Sequence, residues 1–189
     1  MLHVSGFTLV ELLVSVAIFT LITTTAVFNN AQFNGNVLLT NLAYEVALSV
    51  RQAQFYGITV KQSSTNTFDA GYGIHFDTAT PAAYILFEDK PTPDKTYTAN
   101  EALETYTLRK GNTISKVCVT NVSRTCLSPG STVDITFIRP NPDAYIRYQG
   151  SFYSQAEICV SSPLGNKRKV VVESTGQISV ATDAEGICN

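Results

Sequence analysis

An α+β fold, with a long N-terminal α-helix packed on an antiparallel β-sheet domain, is predicted by three patterns in this 189-residue chain. An apolar run extends from Phe7 to Phe28, enough for one bilayer crossing, which takes about 20 residues. Leu39, Ala43, Val46, Val50 and Ala53 then recur at 4-3-4-3 spacing, one apolar stripe on a helix. From Ile58 onward, short segments of period-two alternation are separated by turn residues. The first half of the helix is expected in the membrane and the second half against the sheet.

The helix is expected from Phe7 to near Tyr56, roughly 75 Å at ~1.5 Å per residue. Within it, Thr23-Thr24-Thr25 is a weak stretch, because β-branched side chains lose rotamer freedom in a helix. Asn29-Asn30 and Asn34-Gly35-Asn36 follow it. Asn41, Glu45, Ser49 and Gln52 are expected on the side away from the sheet, and Gly57 as the stop. Ile74-His75-Phe76 and Ala83-Tyr84-Ile85-Leu86-Phe87 flank a turn and read as a hairpin. Further strands are expected at 105–108, 114–118, 133–137, 157–160, 169–173 and 177–180. Short connections such as Ser174-Thr175-Gly176 favour antiparallel order.

Net charge is −2, which offers no general basic field for nucleic acid or anionic lipid. A secretory signal peptide would show a charged start and a small-x-small site after the apolar run, and neither is present. The positive-inside rule gives no orientation, because the first basic residue is Arg51. Cys118, Cys126, Cys159 and Cys188 all lie beyond the apolar run, and an even count in an exported domain reads as two disulfides. A zinc site would call for Cys-x-x-Cys spacing, which is absent. Of the three possible connectivities, Cys118–Cys126 closes the shortest loop, which leaves Cys159–Cys188.

Residues Gly6-Phe7-Thr8-Leu9-Val10-Glu11 stand at the head of the apolar run. An acidic group at mid-bilayer costs about 2.5–3.5 kcal/mol on insertion scales, so Glu11 needs a partner or a place near the helix end. Together these residues resemble the N-terminus of type IV pilins and pseudopilins. The resemblance implies cleavage between Gly6 and Phe7 by a prepilin peptidase and N-methylation of the new Phe7 amine. It also implies that Glu11 pairs with the N-terminal amine of a neighbouring pilin or pseudopilin subunit during assembly. The expected organisation is then 1–6 as leader, 7–28 as transmembrane and filament-core helix, 29–56 as its amphipathic continuation, and 57–189 as the antiparallel β-domain. The implied location is the bacterial inner membrane, crossed once, with the remainder in an extracytoplasmic pilus or pseudopilus. Two departures stand out: the leader lacks Lys and Arg, and no proline precedes Pro81.

Leu42 through Gln54, Gly71-Tyr72-Gly73-Ile74-His75-Phe76 and 167–178 are similar to the GspH/FimT-type branch of that family, which supplies minor pilins and minor pseudopilins. Some members bind DNA through a C-terminal Gly-Arg-x-Arg. The matching positions here read Gly176-Gln177-Ile178-Ser179, without either arginine. Lys167, Arg168 and Lys169 form the one basic cluster and a weak DNA contact at most, since two or three phosphate contacts give only salt-sensitive binding. Arg139 and Arg147 are candidates to extend it. Nucleic acid is not expected as a partner.

Asp89, Asp94, Glu101 and Glu104 form an acidic stretch, but Pro91 and Pro93 interrupt the ligand spacing that calcium loops use. No metal and no cofactor is expected. Asn121-Val122-Ser123 matches a glycosylation sequon. His75 has no identifiable nucleophile nearby, and Gly71-x-Gly73 lacks the third glycine of a nucleotide site. The chain is expected not to be an enzyme. The reading reached is a type IV pilin-like subunit, a minor pilin. The alternatives are a minor pseudopilin of a type II secretion system and a DNA-binding minor pilin of an uptake pilus.

Overall fold

Fifty consecutive residues form one helix, α1 (Leu9–Ile58). The computed structural model describes residues 6–59, 61–64, 68–90, 93–182, 186 and 188, with the backbone alone for 28–36. The chain divides into two compact units, Met1–Val37 and Leu38–Asn189, so their boundary falls within α1.

In the first unit the threonine run does not end the helix. Thr23 and Thr24 donate to the carbonyls of Phe19 and Thr20, both at 2.7 Å, and Thr25 donates to Ile22 at 2.9 Å. Each hydroxyl is therefore satisfied within the helix, which suits an apolar surrounding. The side chains of Asn29, Asn30, Asn34 and Asn36 lie outside the described residues.

In the second unit Leu39, Leu42, Ala43, Val46, Ala47, Val50 and Ala53 of α1 are buried. Fully burying a leucine or valine contributes roughly 1.5–3 kcal/mol, so this stripe holds the helix end to the strands. Asn41 and Glu45 face outward as expected. Ser49 does not: it is buried, and its hydroxyl lies 2.9 Å from the Tyr84 hydroxyl. Gln52 is half-buried between the hydroxyls of Tyr56 and Tyr106. Tyr44, Leu48 and Phe55, with Leu38 and Ile58, are the large apolar side chains that face outward instead.

The strands that follow are β1 (Gly71–Asp77), β2 (Ala83–Asp89), β3 (Ala102–Thr107), β4 (Thr113–Thr120), β5 (Arg124–Cys126) and β6 (Thr132–Phe137). After them come β7 (Ala144–Tyr148), β8 (Ser151–Tyr153), β9 (Gln155–Ser161), β10 (Lys167–Glu173) and β11 (Ile178–Thr182). The expected β1–β2 hairpin is present, with Ile74 opposite Leu86. The expected antiparallel β-domain is built of two sheets, ordered β3-β2-β1-β6-β7-β8 and β11-β10-β9-β4-β5. Strands β5, β7 and β8 were not expected. β5 and β8 have three residues each, too few for a period to register.

One apolar core draws on α1 and both sheets, with Ile74, Phe76, Ile135, Phe137 and Ile146 from the first and Val117, Ile158, Val170 and Val172 from the second. Polar ties join the layers as well. The Gln54 amide donates to the carbonyls of Pro142 and Gly176, both at 2.9 Å, and so reaches the approach to β7 and the β10–β11 turn together. Asn121, in the β4–β5 turn, donates to Phe152 O at 2.9 Å and accepts from Ser154 N at 2.7 Å, which ties that turn to β8.

Gly57 is not the stop that the sequence suggested: the helix runs one residue past it. A Cβ there would lie 2.5 Å from the Phe137 carbonyl oxygen of β6, so only glycine permits this approach. Gly57→Ala therefore sets better helix propensity, about 1 kcal/mol, against overpacking of about 1–3 kcal/mol. The net result expected is a lower urea midpoint for the full chain in detergent, followed by near-UV circular dichroism. An unchanged or raised midpoint would show that the helix and β6 are not in this contact.

Candidate membrane-anchor and assembly site

Helix α1 begins where its sequence supplies a cap. Thr8 O accepts the first helical bond, from Leu12 N at 3.1 Å, and the Thr8 hydroxyl accepts the Glu11 N–H at 3.3 Å. The same hydroxyl donates to Glu11 Oε2 at 3.5 Å. Thr8 and Glu11 thus share the spacing of a capping box, and the carboxylate stands in the first turn, where the helix dipole favours negative charge. Glu11 is the one charged side chain between Leu9 and Val27.

Just before the cap, Gly6 and Phe7 are exposed. A Cβ built on Gly6 would meet nothing within 4 Å, so the Gly6–Phe7 peptide bond is open to a protein that must approach its backbone. Beyond the cap, Leu9–Val27 is a 19-residue helical stretch with a mean hydropathy of 2.0 and no side chain buried. Leu9, Leu12, Leu13, Val16 and Phe19 are each more than half exposed. Left in water this much apolar surface would be strongly unfavourable. Leu9–Val27 is long and apolar enough to cross a membrane once. The expected leader residues Met1 to Ser5 lie outside the described residues.

The cysteines are joined as Cys118–Cys126 and Cys159–Cys188. Cys118 and Cys126 face each other across the β4–β5 pair, so the bridge staples a hairpin rather than closing a free loop. Cys159–Cys188 holds the C-terminal tail to β9.

The basic cluster is tied into the fold. Lys169 Nζ lies 3.0 Å from Glu157 Oε1, and Arg124 Nε lies 2.7 Å from Glu157 Oε2. Glu157 is 2 % exposed, so both cations answer a buried carboxylate. Lys167 donates to the Cys188 carbonyl at 2.8 Å, and Arg168 donates to Lys167 O at 3.0 Å. Arg147 does not extend the cluster: it belongs to β7 of the other sheet, where it donates to Asp94 O and the Thr96 hydroxyl.

The acidic stretch serves its own backbone. Asp89 accepts from Asp94 N at 2.9 Å and Lys95 N at 2.7 Å, and Glu101 accepts from Lys90 N at 3.2 Å and Thr98 N at 2.6 Å. Burial pushes the Asp89 carboxyl up to about 6 despite those two bonds, with the charges of Asp94 and Glu101 adding to the rise. Burial acts on neighbouring Glu88 too, but bonds from the Ser64 hydroxyl, the Lys90 ammonium and the Tyr72 hydroxyl outweigh it and hold the carboxyl below the usual range. His75 Nδ1 lies 2.7 Å from Asp134 Oδ1, and its ring packs 4.4 Å from Tyr97.

Residues 1–27 match the family described as the prokaryotic N-terminal methylation motif. No curated protein and no solved structure compared with the chain gave a match. The motif supports a type IV pilin-like or pseudopilin subunit. Together with the apolar helix it fits a single-pass membrane anchor that a prepilin peptidase processes.

The Asp89 shift has a measurable sign. Its folded pKa lies above the unfolded value of about 4, so the folded state takes up a proton in that window. The stability this contributes is present at low pH and is lost as pH rises through about 6. Glu88 works in the opposite direction, with stability lost as pH falls below the carboxylate range. The melting temperature of the full chain in detergent is therefore expected to rise from pH 7.5 to pH 5 by more in the wild type than in Asp89→Asn. Equal slopes would remove Asp89 as the titrating group.

Proposed function

We propose that this chain is a minor pilin that takes part in the assembly of a type IV pilus. The observation that carries the reading is the placement of Glu11, the one charge of the apolar stretch, in the first helical turn and four residues from Phe7. Cleavage after Gly6 would leave a cationic amine on Phe7. In an apolar filament core that amine and the Glu11 of a neighbour each lack water, and pairing them offsets a desolvation cost that neither could bear alone. The exposed side chains of Leu9–Val27 then move from lipid to neighbouring helices with little change in polarity.

Chemistry is done to this chain rather than by it, and no catalytic role is proposed. Nucleic acid is not a partner in this reading, because Lys169 answers Glu157 and Gly176-Gln177-Ile178-Ser179 carries no arginine. The same anchor would serve a minor pseudopilin of a type II secretion system. Shearing separates the two, since a pseudopilus stays in the periplasm.

The test uses the full chain expressed in its host. Wild-type protein from sheared pili should have a mass that reports loss of 1–6, one added methyl and two disulfides. Gly6→Val should keep the leader and stay out of the sheared fraction. Glu11→Ala should be cleaved and inserted yet poorly incorporated. Normal levels of Glu11→Ala in sheared pili would sink the pairing role, and normal cleavage of Gly6→Val would sink the assignment.

A further inference from the structure

The two sheets have four edge strands, and three of them are shorter than the fourth. β8 has three residues, with Phe152 O held by Asn121. β5 also has three and is stapled to β4 by Cys118–Cys126. β11 has its first carbonyl, Ile178 O, occupied by Arg51 at 3.1 Å. β3 differs: it has six residues, and all but Tyr106 are exposed.

The register fixes which backbone groups of β3 are open. Leu108 N donates to Ala82 O at 2.8 Å, and Tyr106 stands opposite Tyr84. Alternation then directs the main-chain groups of Glu104 and Tyr106 toward β2, and those of Thr105 and Thr107 outward. Natural edges are protected by proline, lysine or a bulge. β3 contains no proline or lysine, and its one bulge, opposite Leu86 and Phe87, lies at the other end of the strand from Thr105–Thr107.

Beside this edge lies a groove of about 620 Å³, with Leu38 and Leu42 of α1 on one wall and Tyr106 on the other. Glu45 and Glu104 give it acidic character, and Arg109 and Lys110 follow at the C-terminal end of β3. Among the described residues no ion pair joins the acidic members to the basic ones. The groove therefore offers apolar surface, open main-chain groups and a direction of charge together.

We propose that β3 accepts an extended segment of another polypeptide chain as an added antiparallel strand, with an acidic side chain at Arg109 and Lys110 and a basic one at Glu45 and Glu104. Main-chain bonds to Thr105 and Thr107 supply affinity, and the charges fix the direction of the incoming strand. This goes beyond the pilin reading, because it defines the partner by its chemistry and would hold for any filament or none.

The probe is a synthetic peptide, acetyl-Glu-Thr-Val-Thr-Val-Lys-amide, added to the full chain in detergent and compared with its reversed-charge counterpart, acetyl-Lys-Thr-Val-Thr-Val-Glu-amide. Backbone hydrogen exchange at Thr105 and Thr107 is the readout. The first peptide should slow both amides, saturably and by about tenfold or more, while the second has a much smaller effect. Thr105→Pro removes an outward N–H without touching the bonds to β2, a placement that edge strands tolerate. In that variant Thr107 should lose its protection by the peptide while the melting temperature stays near wild type. Arg109→Glu with Lys110→Glu, on the exposed turn, should shift the preference toward the second peptide. Absence of saturable protection, equal protection by both peptides, or undiminished protection at Thr107 in Thr105→Pro would each overturn the proposal.

Discussion

Because Gly57 carries no side chain, the end of α1 lies against the Phe137 carbonyl of β6, and the small residues Ala43, Ala47 and Ala53 face the core along the same stripe. Short side chains on a helix let its backbone come near what it covers, and here they bring longer polar side chains within reach of the strands. Ser49 meets Tyr84, Gln54 reaches Pro142 and Gly176, and Arg51 closes the first carbonyl of β11. The Ser49–Tyr84 bond satisfies two buried hydroxyls that would otherwise be left without water, and the others tie the helix to the strands nearer the surface. The helix is thus both the apolar wall of the core and the polar clamp across its two sheets.

A second constraint is the number of carboxylates that the β-domain buries. Glu88, Asp89, Glu101, Asp134 and Glu157 are all nearly inaccessible. None is left alone, as the cost of an isolated buried charge requires. Asp89 and Glu101 take backbone amides, Asp134 takes His75, and Glu157 takes Arg124 and Lys169. In Asp89 and Glu101 the acids do the work of a turn, holding a proline-interrupted loop by its amides where regular pairing stops.

The parts of the fold that were legible share a feature: their signal is local. The stripe from Leu39 to Ala53 and the alternation in β6, β9 and β10 can each be read within one element. What escaped depends on distant chain. Ser49 looks like a surface residue until Tyr84 is placed beside it, 35 positions away. Gly57 looks like a terminator because its neighbour on β6 is absent from any local window. The division into two sheets follows from pairings such as β1 with β6, which skip the intervening strands and leave no trace in periodicity. At the anchor, Glu11 stood out as a charge in an apolar run, while the roles of Gly6 and Phe7 came from the resemblance to type IV pilins and pseudopilins. The capping role of Thr8 was equally local, since Thr-x-x-Glu is itself a helix-start pattern, but it was masked by the larger motif around it. The setting of the basic run was not local either, because Lys167 to Lys169 are adjacent while the acid that engages Lys169 lies on another strand.

Asn121 bears on how this protein can be made. Both ends of its side-chain amide are committed, one to Phe152 and one to Ser154, yet the tripeptide it opens is an acceptor for sugar in eukaryotic secretory compartments. A transferase can act only while that amide is free, before the β4–β5 turn has docked on β8. In a yeast or insect host, occupancy at Asn121 would therefore record a race between docking and modification. A glycan there would mark molecules modified before docking, and it would leave one amide hydrogen for Phe152 and the amide oxygen for Ser154. The sequon is in effect a reporter on the docking of one turn.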